Sequence, residues 1–579
     1  MKKYNIFPIP QKIEYHEGTC PIDTAVTYLI QESLGIEEYQ ITITKDNITI
    51  VSSSEVGAYR ANTTFNQLRR QCKDVLPCVS IHDYPDYPVR GLHYFTGGRI
   101  PTMEEFKHLI DMLADLKINQ LQILADIGAY AYECYPGLGH NSGTMSIEEM
   151  QELSAYCEER HIDIVPYMQV FGHCLYWLQA PELCKLAECP EKEWPDTINP
   201  NHPDTIKHVR KVYDELCSVF TGRYFNTGCD EAVEFGEGAN KELCEQIGKE
   251  RAIVNYINRL NDELKLRGKT MQYWGDMLLR APEDVLDELP KDAIALQWGY
   301  ERQDVWHGFC EKMKNHGIPY YCCPGTSSWM GMLGKSFNAV QNISRTAVAG
   351  LEHGAAGLLN TDWQDEGILY YSTSYFGIAY GAGMAWHVDK EDFNQTRQDY
   401  HPEYIPEPDA YQCAKLSPTV RECFRYLNRH IFQDETNSMA QVLYDGGQLS
   451  ELAAVPRGWN RTQLKFMLML PLDDGDTKEF TEEDFQTVLC EIDNLRYRMN
   501  KTKPHCYDGD LIRDEFENAL KMSEYAAHVG LWKCGVGHNE ETVKMMKEMQ
   551  CVILKENERL CLARCRTVRD HTQYFNKFN

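Results

Sequence analysis

Two adjacent carboxylates, Asp230 and Glu231, close a stretch that reads Tyr224-Phe-Asn-Thr-Gly-Cys-Asp-Glu231. An apolar-aromatic run that stops at a glycine is how a buried strand ends. Strand tips opening into such loops hold side chains rigidly beside a cleft. Acids there can move protons, although a lone pair would equally suit the cap of the next helix. Further reactive groups recur where other runs end. Arg99 follows Gly97-Gly98, Asp126 ends a run begun at Asn119, and His173 follows Gly172. Trp274-Gly-Asp276, Trp298 with Glu301, Thr326-Ser-Ser-Trp329 and Asp362-Trp363-Gln-Asp365-Glu366 complete the set. Four of the ten tryptophans thus stand at run ends together with carboxylates. Flat indoles that stack on C–H ring faces, beside acids that bind hydroxyls, describe a carbohydrate subsite.

The spacing of the pair narrows the chemistry. A two-carboxylate retaining glycosidase needs its acids about 5–5.5 Å apart across the bond. Neighbouring residues have Cα atoms about 3.8 Å apart and side chains that diverge in a strand. Asp230 and Glu231 therefore suit a division of labour, with Glu231 protonating the leaving oxygen and Asp230 holding a group of the substrate. A glycosidase pairing Glu231 with Asp276, Glu301 or Asp362 is the alternative. Histidines 93, 140 and 173 with Asp230 could ligate a metal, but no H-x-H or H-E-x-x-H spacing occurs, so neither metal nor cofactor is expected. Ser327 and Ser328 lack a nucleophile elbow.

The elements that must position these groups follow a repeating pattern. Residues 1–85 read as a small α/β domain, with a hairpin of Ile41–Thr44 and Asn47–Val51 and a helix from Glu55 to Arg70. His82-Asp-Tyr-Pro-Asp-Tyr-Pro88 punctuates its end. Strand-loop-helix units then repeat through residues 86–400, with strands at 90–95, 119–126, 163–170, the run from Tyr224 that stops at Gly228, 270–274, 293–298, 318–322 and 356–360. Helices at 102–117 and 146–160 open on capping-box patterns. Eight units in roughly 300 residues predict a (β/α)8 TIM barrel with its reactive groups at one end. Residues 401–579 carry helical periodicity at 416–432, 482–500, 511–528 and 540–576, a helical C-terminal domain. Whether that domain shapes a substrate cleft or a homodimer interface stays open.

Composition excludes other classes. A net charge of −28 over 579 residues argues against nucleic acid or an anionic membrane as partner. The 22 cysteines form no C-x-x-C pair and many lie in apolar runs; the N-terminus has no apolar h-region. The expectation is a cytoplasmic protein with reduced thiols, no signal peptide and no membrane span.

Asn226-Thr-Gly-Cys-Asp-Glu231 resembles the H-x-G-G-D-E motif of glycoside hydrolase family 20, the β-N-acetylhexosaminidases. Gly57-Ala-Tyr-Arg-Ala61, Asp83-Tyr-Pro-Asp-Tyr-Pro-Val-Arg-Gly91 and Asp111-Met-Leu-Ala-Asp-Leu-Lys-Ile-Asn-Gln-Leu121 are similar to further segments of that family. Asn226 stands where the family usually has His, and Cys229 where it usually has Gly. The resemblance implies exo-acting, retaining hydrolysis of terminal β-linked N-acetylglucosamine or N-acetylgalactosamine, in which the substrate's own 2-acetamido oxygen attacks the anomeric carbon. It implies that Asp230 orients the acetamido group and that Glu231 is general acid, then base. Arg99 would hold sugar hydroxyls, Asp126 and His173 would buttress the site, and Asp365 would bind distal hydroxyls. Trp274, Trp298 and Trp363 would box the acetamido methyl and sugar ring, and Trp329 is carried over as a further substrate-binding residue. Two readings stand beside it: a two-carboxylate glycosidase on sugars without an acetamido group, and a non-catalytic sugar-binding protein.

Overall fold

The computed structural model describes residues 4–96, 98–139, 143–302, 306–364, 370–390, 417–452, 463–469 and 480–568, with the single positions 472, 572 and 575. Its N-terminal sheet contains β1 (Lys12–Pro21), β2 (Val26–Ile30), β3 (Tyr39–Ile43), β4 (Ile48–Ser52) and β5 (Val75–Asp83), in the spatial order β1-β5-β3-β4-β2. The β3–β4 hairpin pairs Ile41 with Ile50 and Ile43 with Ile48. Period-two alternation buries these isoleucines against Phe65 and Leu68 of the helix Glu55–Arg69. Ser54 starts that helix by accepting a hydrogen bond from Gly57 N.

Eight parallel strands follow: β6 (Val89–Tyr94), β7 (Gln120–Leu124), β8 (Asp163–Tyr167), β9 (Tyr224–Asn226), β10 (Thr270–Trp274), β11 (Ile294–Trp298), β12 (Tyr320–Cys323) and β13 (Gly357–Asp362). They close into a barrel in which β13 pairs with β6. Part of the interior is built from amides that satisfy one another. Asn226 Nδ2 donates to Gln122 Oε1 at 2.9 Å, and Gln122 Nε2 donates to Gln272 Oε1 at 2.6 Å. His93 Nδ1 lies 3.2 Å from Gln122 Oε1. Mutual pairing removes the penalty that unpaired buried amides would carry.

Two helix starts that read alike differ in the structure. Ser146 and Glu149 form both halves of a capping box. Thr102 accepts from Glu105 N, but the Glu105 carboxylate turns instead to Arg564 Nη1, at 3.1 and 3.0 Å. An ion pair to a buried guanidinium outcompetes the return bond to a backbone amide.

The three parts are bolted together by buried charge. Lys117 Nζ is 2.8 Å from both Asp83 Oδ2 and Tyr39 OH, at the seam between sheet and barrel. Trp386, from the last barrel helix Tyr375–Trp386, donates to Asp83 Oδ1 at 2.8 Å and joins the core of the N-terminal sheet. The C-terminal helices include Pro418–Tyr426, Glu482–Met499, Gly509–Lys533 and Glu540–Arg564. The third runs past the 511–528 expected from periodicity. The fourth falls short of the expected 540–576, because Cys565 turns extended and bridges Pro101 while Arg566 N donates to Ile100 O at 2.8 Å. Pairing with a barrel loop ends the helix where its apolar periodicity alone would continue it. No described helix is long and apolar enough to cross a membrane, and the described cysteines carry free thiols.

Candidate active site

The carboxylate pair sits in a strained tip beyond β9. Gly228, Cys229 and Glu231 all take positive φ, at 69°, 79° and 46°. Each such non-glycine residue costs on the order of 1–3 kcal/mol, and such residues persist only where their surroundings hold them. Cys229 is buried in a conformation that glycine adopts without strain. Asn226 supports the turn, its Oδ1 accepting from Gly228 N at 2.9 Å. Against this loop lies the tip beyond β8. A Cβ on Gly172 would fall 2.2 Å from Asp230 O, so only glycine lets the two tips approach. The next residue, His173, has φ 54° and turns its ring onto the acids.

His173 bridges three carboxylates. Its Nε2 lies 3.5 Å from Asp230 Oδ2 and 3.3 Å from Glu231 Oε2, and its Nδ1 lies 3.8 Å from Asp196 Oδ2. Burial works against the imidazolium, but the bonds to Asp230 and Glu231 lift His173 to about 11. Burial likewise opposes the Asp230 anion. The His173 cation and the Gln169 Nε2 donor, 3.1 Å away, nevertheless hold that carboxyl below its ordinary value. At neutral pH the centre is a histidine cation against an aspartate anion. Glu231 differs, with its side chain 50% exposed where that of Asp230 is 10%. Asp276 accepts from Glu231 N at 3.1 Å, and burial followed by the Asp230 charge pushes it up to about 7.

Aromatic rings wall the site. Trp363 packs on His93, Phe95 and Trp274, with ring centroids 4.6, 5.4 and 5.9 Å apart, and Tyr167 stands edge-on to Trp274 at 6.3 Å. Tyr300 ties in the second side. Its OH accepts from Trp363 Nε1 at 2.8 Å, and its ring stacks on Trp298 at 5.2 Å and 13°. Trp274, Trp298 and Trp363 are therefore joined in one cluster. Trp329 is buried and meets Tyr300 edge-on at 5.1 Å, so it braces the wall from behind.

The remaining sequence candidates fare differently. Arg99 is buried, with its guanidinium 5.3 Å from the Tyr371 ring, Nη1 3.6 Å from Cys561 Sγ and Nη2 donating to Gln364 Oε1 at 2.5 Å. These contacts link the first barrel loop to the tip beyond β13 and to the helix Glu540–Arg564. Asp365 lies outside the described residues. Asp362 accepts from the hydroxyls of Thr326, Ser328 and Ser374, and Glu301 Oε2 lies 3.7 Å from Lys335 Nζ. Neither acid is poised as a nucleophile. Among the described residues no group of three His, Cys, Asp or Glu side chains could hold a metal ion. Gln169 and Asp196, which face the charged centre, and Tyr300, which ties the aromatic wall together, carry no motif in the sequence.

Asp126 accepts from Ile127 N at 2.7 Å and from Trp177 Nε1, yet burial pushes its carboxyl up to about 7. The folded state thus holds this proton more tightly than the unfolded chain. The associated stability is fully present below the ordinary aspartate range and is lost as pH climbs towards 7. Asp126→Asn, which keeps the acceptor oxygen and removes the charge, should raise the thermal midpoint relative to wild type by on the order of 5 °C more at pH 8 than at pH 5. Thermal unfolding of both proteins at the two pH values checks this, and parallel shifts would exclude it.

Residues 87–355 match the family model described as glycosyl hydrolase family 20, catalytic domain, and residues 21–84 match that family's domain 2. The β-hexosaminidase subunit A1 of Dictyostelium discoideum is 30% identical over 317 residues, which is 50% of this chain and 58% of that one. A β-hexosaminidase of Akkermansia muciniphila is 24% identical over 47% of this chain and 62% of its own. The chain thus spans about three-fifths of the length of these relatives. Two solved structures share the fold. One is a β-N-acetylhexosaminidase from Bacteroides fragilis (TM-score 0.55, 18% identity, 72% of this chain and 95% of that one). The other is a chitobiase from Flavobacterium johnsoniae (TM-score 0.58, 15% identity, 96% and 99%).

Proposed function

The chain belongs to glycoside hydrolase family 20, and on that footing we propose that it is an exo-acting β-N-acetylhexosaminidase that removes terminal β-linked N-acetylglucosamine or N-acetylgalactosamine with retention. The observation that carries this reading is the unequal pair: Asp230 buried and held as an anion by His173 and Gln169, and Glu231 beside it half open to solvent.

A buried anion fits the acetamido group of the substrate. As the acetamido oxygen attacks the anomeric carbon, its nitrogen gains positive charge, and a preset carboxylate stabilises that charge without reorganising. The rings of Trp274, Trp363 and Tyr167 supply the apolar wall that an acetamido methyl needs. Glu231 then serves the leaving oxygen as acid, and afterwards takes a proton from the water that opens the intermediate. His173 keeps the pair apart in role. It faces both carboxylates, so a sugar that draws Glu231 towards its leaving oxygen leaves the cation to Asp230. A nucleophilic carboxylate finds less support, since Asp362 and Glu301 are engaged elsewhere and Asp276 binds the Glu231 amide.

A panel of aryl β-glycosides of N-acetylglucosamine, N-acetylgalactosamine, glucose and galactose tests the reading, with a thiazoline added as a mimic of the cyclised intermediate. The expected result is turnover of the N-acetyl substrates only, blocked by the thiazoline. Turnover of plain glucosides that ignores the inhibitor would refute it. Sugar binding without any turnover would point to a retired site.

A further inference from the structure

Three large apolar side chains stand open to solvent on segments around the catalytic pair: Tyr176, Trp194 and Val233, which are 64, 61 and 63% exposed. Single exposed apolar residues are ordinary on a protein surface. These three are all fastened to the catalytic loops. Val233 N donates to Glu231 O at 2.6 Å. Tyr176 lies in the short helix Leu175–Leu178, just beyond His173, where Cys174 N and Leu175 N donate to Asp196 O and Oδ1 at 2.8 and 3.2 Å.

Trp194 is anchored on both sides. Before it, Lys192 Nζ pairs with Glu234 Oε1 at 3.1 Å and Glu237 Oε2 at 3.2 Å. After it, Asp196 N and Thr197 N donate to Glu234 Oε2 at 3.0 and 3.1 Å, while the Asp196 carboxylate faces His173. The segment carrying Trp194 is therefore sutured to the loop that carries Glu231. A tryptophan held at both shoulders with its ring in solvent is a preset stacking surface. The cation of this segment, Lys192, is taken up by two acids, whereas Glu191 and Glu193 beside it are exposed. That charge pattern repels anions.

Resting on the hexosaminidase reading, we propose that Trp194, flanked by Tyr176 and Val233, is the platform for the sugar on the leaving side of the scissile bond, and that this sugar is an uncharged pyranose. The placement follows from the direction of proton delivery. The terminal sugar belongs in the walled pocket of Trp274 and Trp363. Glu231 gives its proton to the oxygen leading away from that pocket, so the leaving group must pass over the outer side of Glu231. The rim there is built from the Glu231 loop itself and the Trp194 segment tied to it.

A pair of substrates isolates the platform. The β-1,4-linked dimer of N-acetylglucosamine has a leaving sugar that can stack, whereas N-acetylglucosaminyl fluoride has a leaving group too small to reach the rim. Trp194→Ala should lower kcat/KM on the dimer about tenfold and leave the fluoride within about twofold of wild type. Trp194→Phe should keep most of the dimer activity, and matched thermal midpoints exclude a folding defect. A 6-sulfate on the leaving sugar should lower kcat/KM; an equal or faster rate overturns the claim of an uncharged partner. Equal losses on dimer and fluoride, no loss on the dimer, or a wild type that hydrolyses the fluoride but not the dimer would each overturn the platform while the hexosaminidase reading stands. A wild type inactive on the fluoride would overturn both.

Discussion

Glu231→Gln is expected to lower kcat on N-acetyl glycosides with poor leaving groups by about 10²–10⁴-fold, the usual reach of general acid catalysis. On an activated aryl glycoside the loss should be much smaller, because a good leaving group departs without a proton. Asp230→Asn should cost heavily on both substrates, since charge develops on the acetamido nitrogen whatever departs. The variant also strips His173 of its closest buried anion, which sits 3.5 Å away. The imidazole of the Asp230→Asn protein should then titrate well below its present value of about 11, giving a new group in the pH–rate profile. Steady-state kinetics of both variants on an alkyl and a nitrophenyl glycoside give the answer. Small and equal losses on both substrates would remove the separate roles.

The second large effect lies far from the chemistry. Arg564 is buried and faces Glu105 Oε2 at 3.0 Å, Asp508 Oδ2 at 2.9 Å and Glu515 Oε1 at 2.5 Å. One cation thus serves a barrel helix and the helix Gly509–Lys533, which Asp508 starts and Glu515 belongs to. Arg564→Met would keep the length of the side chain but leave three carboxylates crowded without a counter-charge. Breaking a buried ion cluster from one side costs about 3–5 kcal/mol. The thermal midpoint should fall by several degrees, and more at pH 8 than at pH 5, since protonating the orphaned acids relieves them. Calorimetry at both pH values measures this. A midpoint unchanged to within about 1 °C would show that the cluster contributes little.

The barrel was legible because its signals are local. Runs such as Gln120–Leu124 and Ile294–Trp298 are short and apolar, and each stops at a residue able to do chemistry. The pair Asp230-Glu231 and the tryptophans at 274, 298 and 363 were found by that rule alone. The rule fails for a residue whose meaning depends on a distant partner. Arg99 reads as a cation at a strand tip, and its contacts with Gln364 and Cys561, far along the chain, have no signal there. Glu105 reads as half of a capping box until Arg564, far along the chain, claims it. Asp196 and Gln169 reach the centre from a long loop and from just past a strand end, and neither has a motif. Periodicity overran the last helix for the same reason, because the pairing of residues 565 and 566 with the first barrel loop is not encoded in the helix itself.

The amides inside the barrel act as a gauge. Parallel strands can slide by two residues and still present the same faces to core and helices, so apolar packing alone tolerates such an error. Gln122, Asn226 and Gln272 do not tolerate it, because a slip of β7, β9 or β10 would strand buried amides without partners. Asn226 spends one end of its side chain on this gauge and the other on Gly228, at the start of the strained tip. The height at which Asp230 and Glu231 stand relative to the ring of Trp274, at the end of β10, is thereby set from within the core. The two halves of the site share one ruler, and errors in assembly are caught several residues below the place where they would matter.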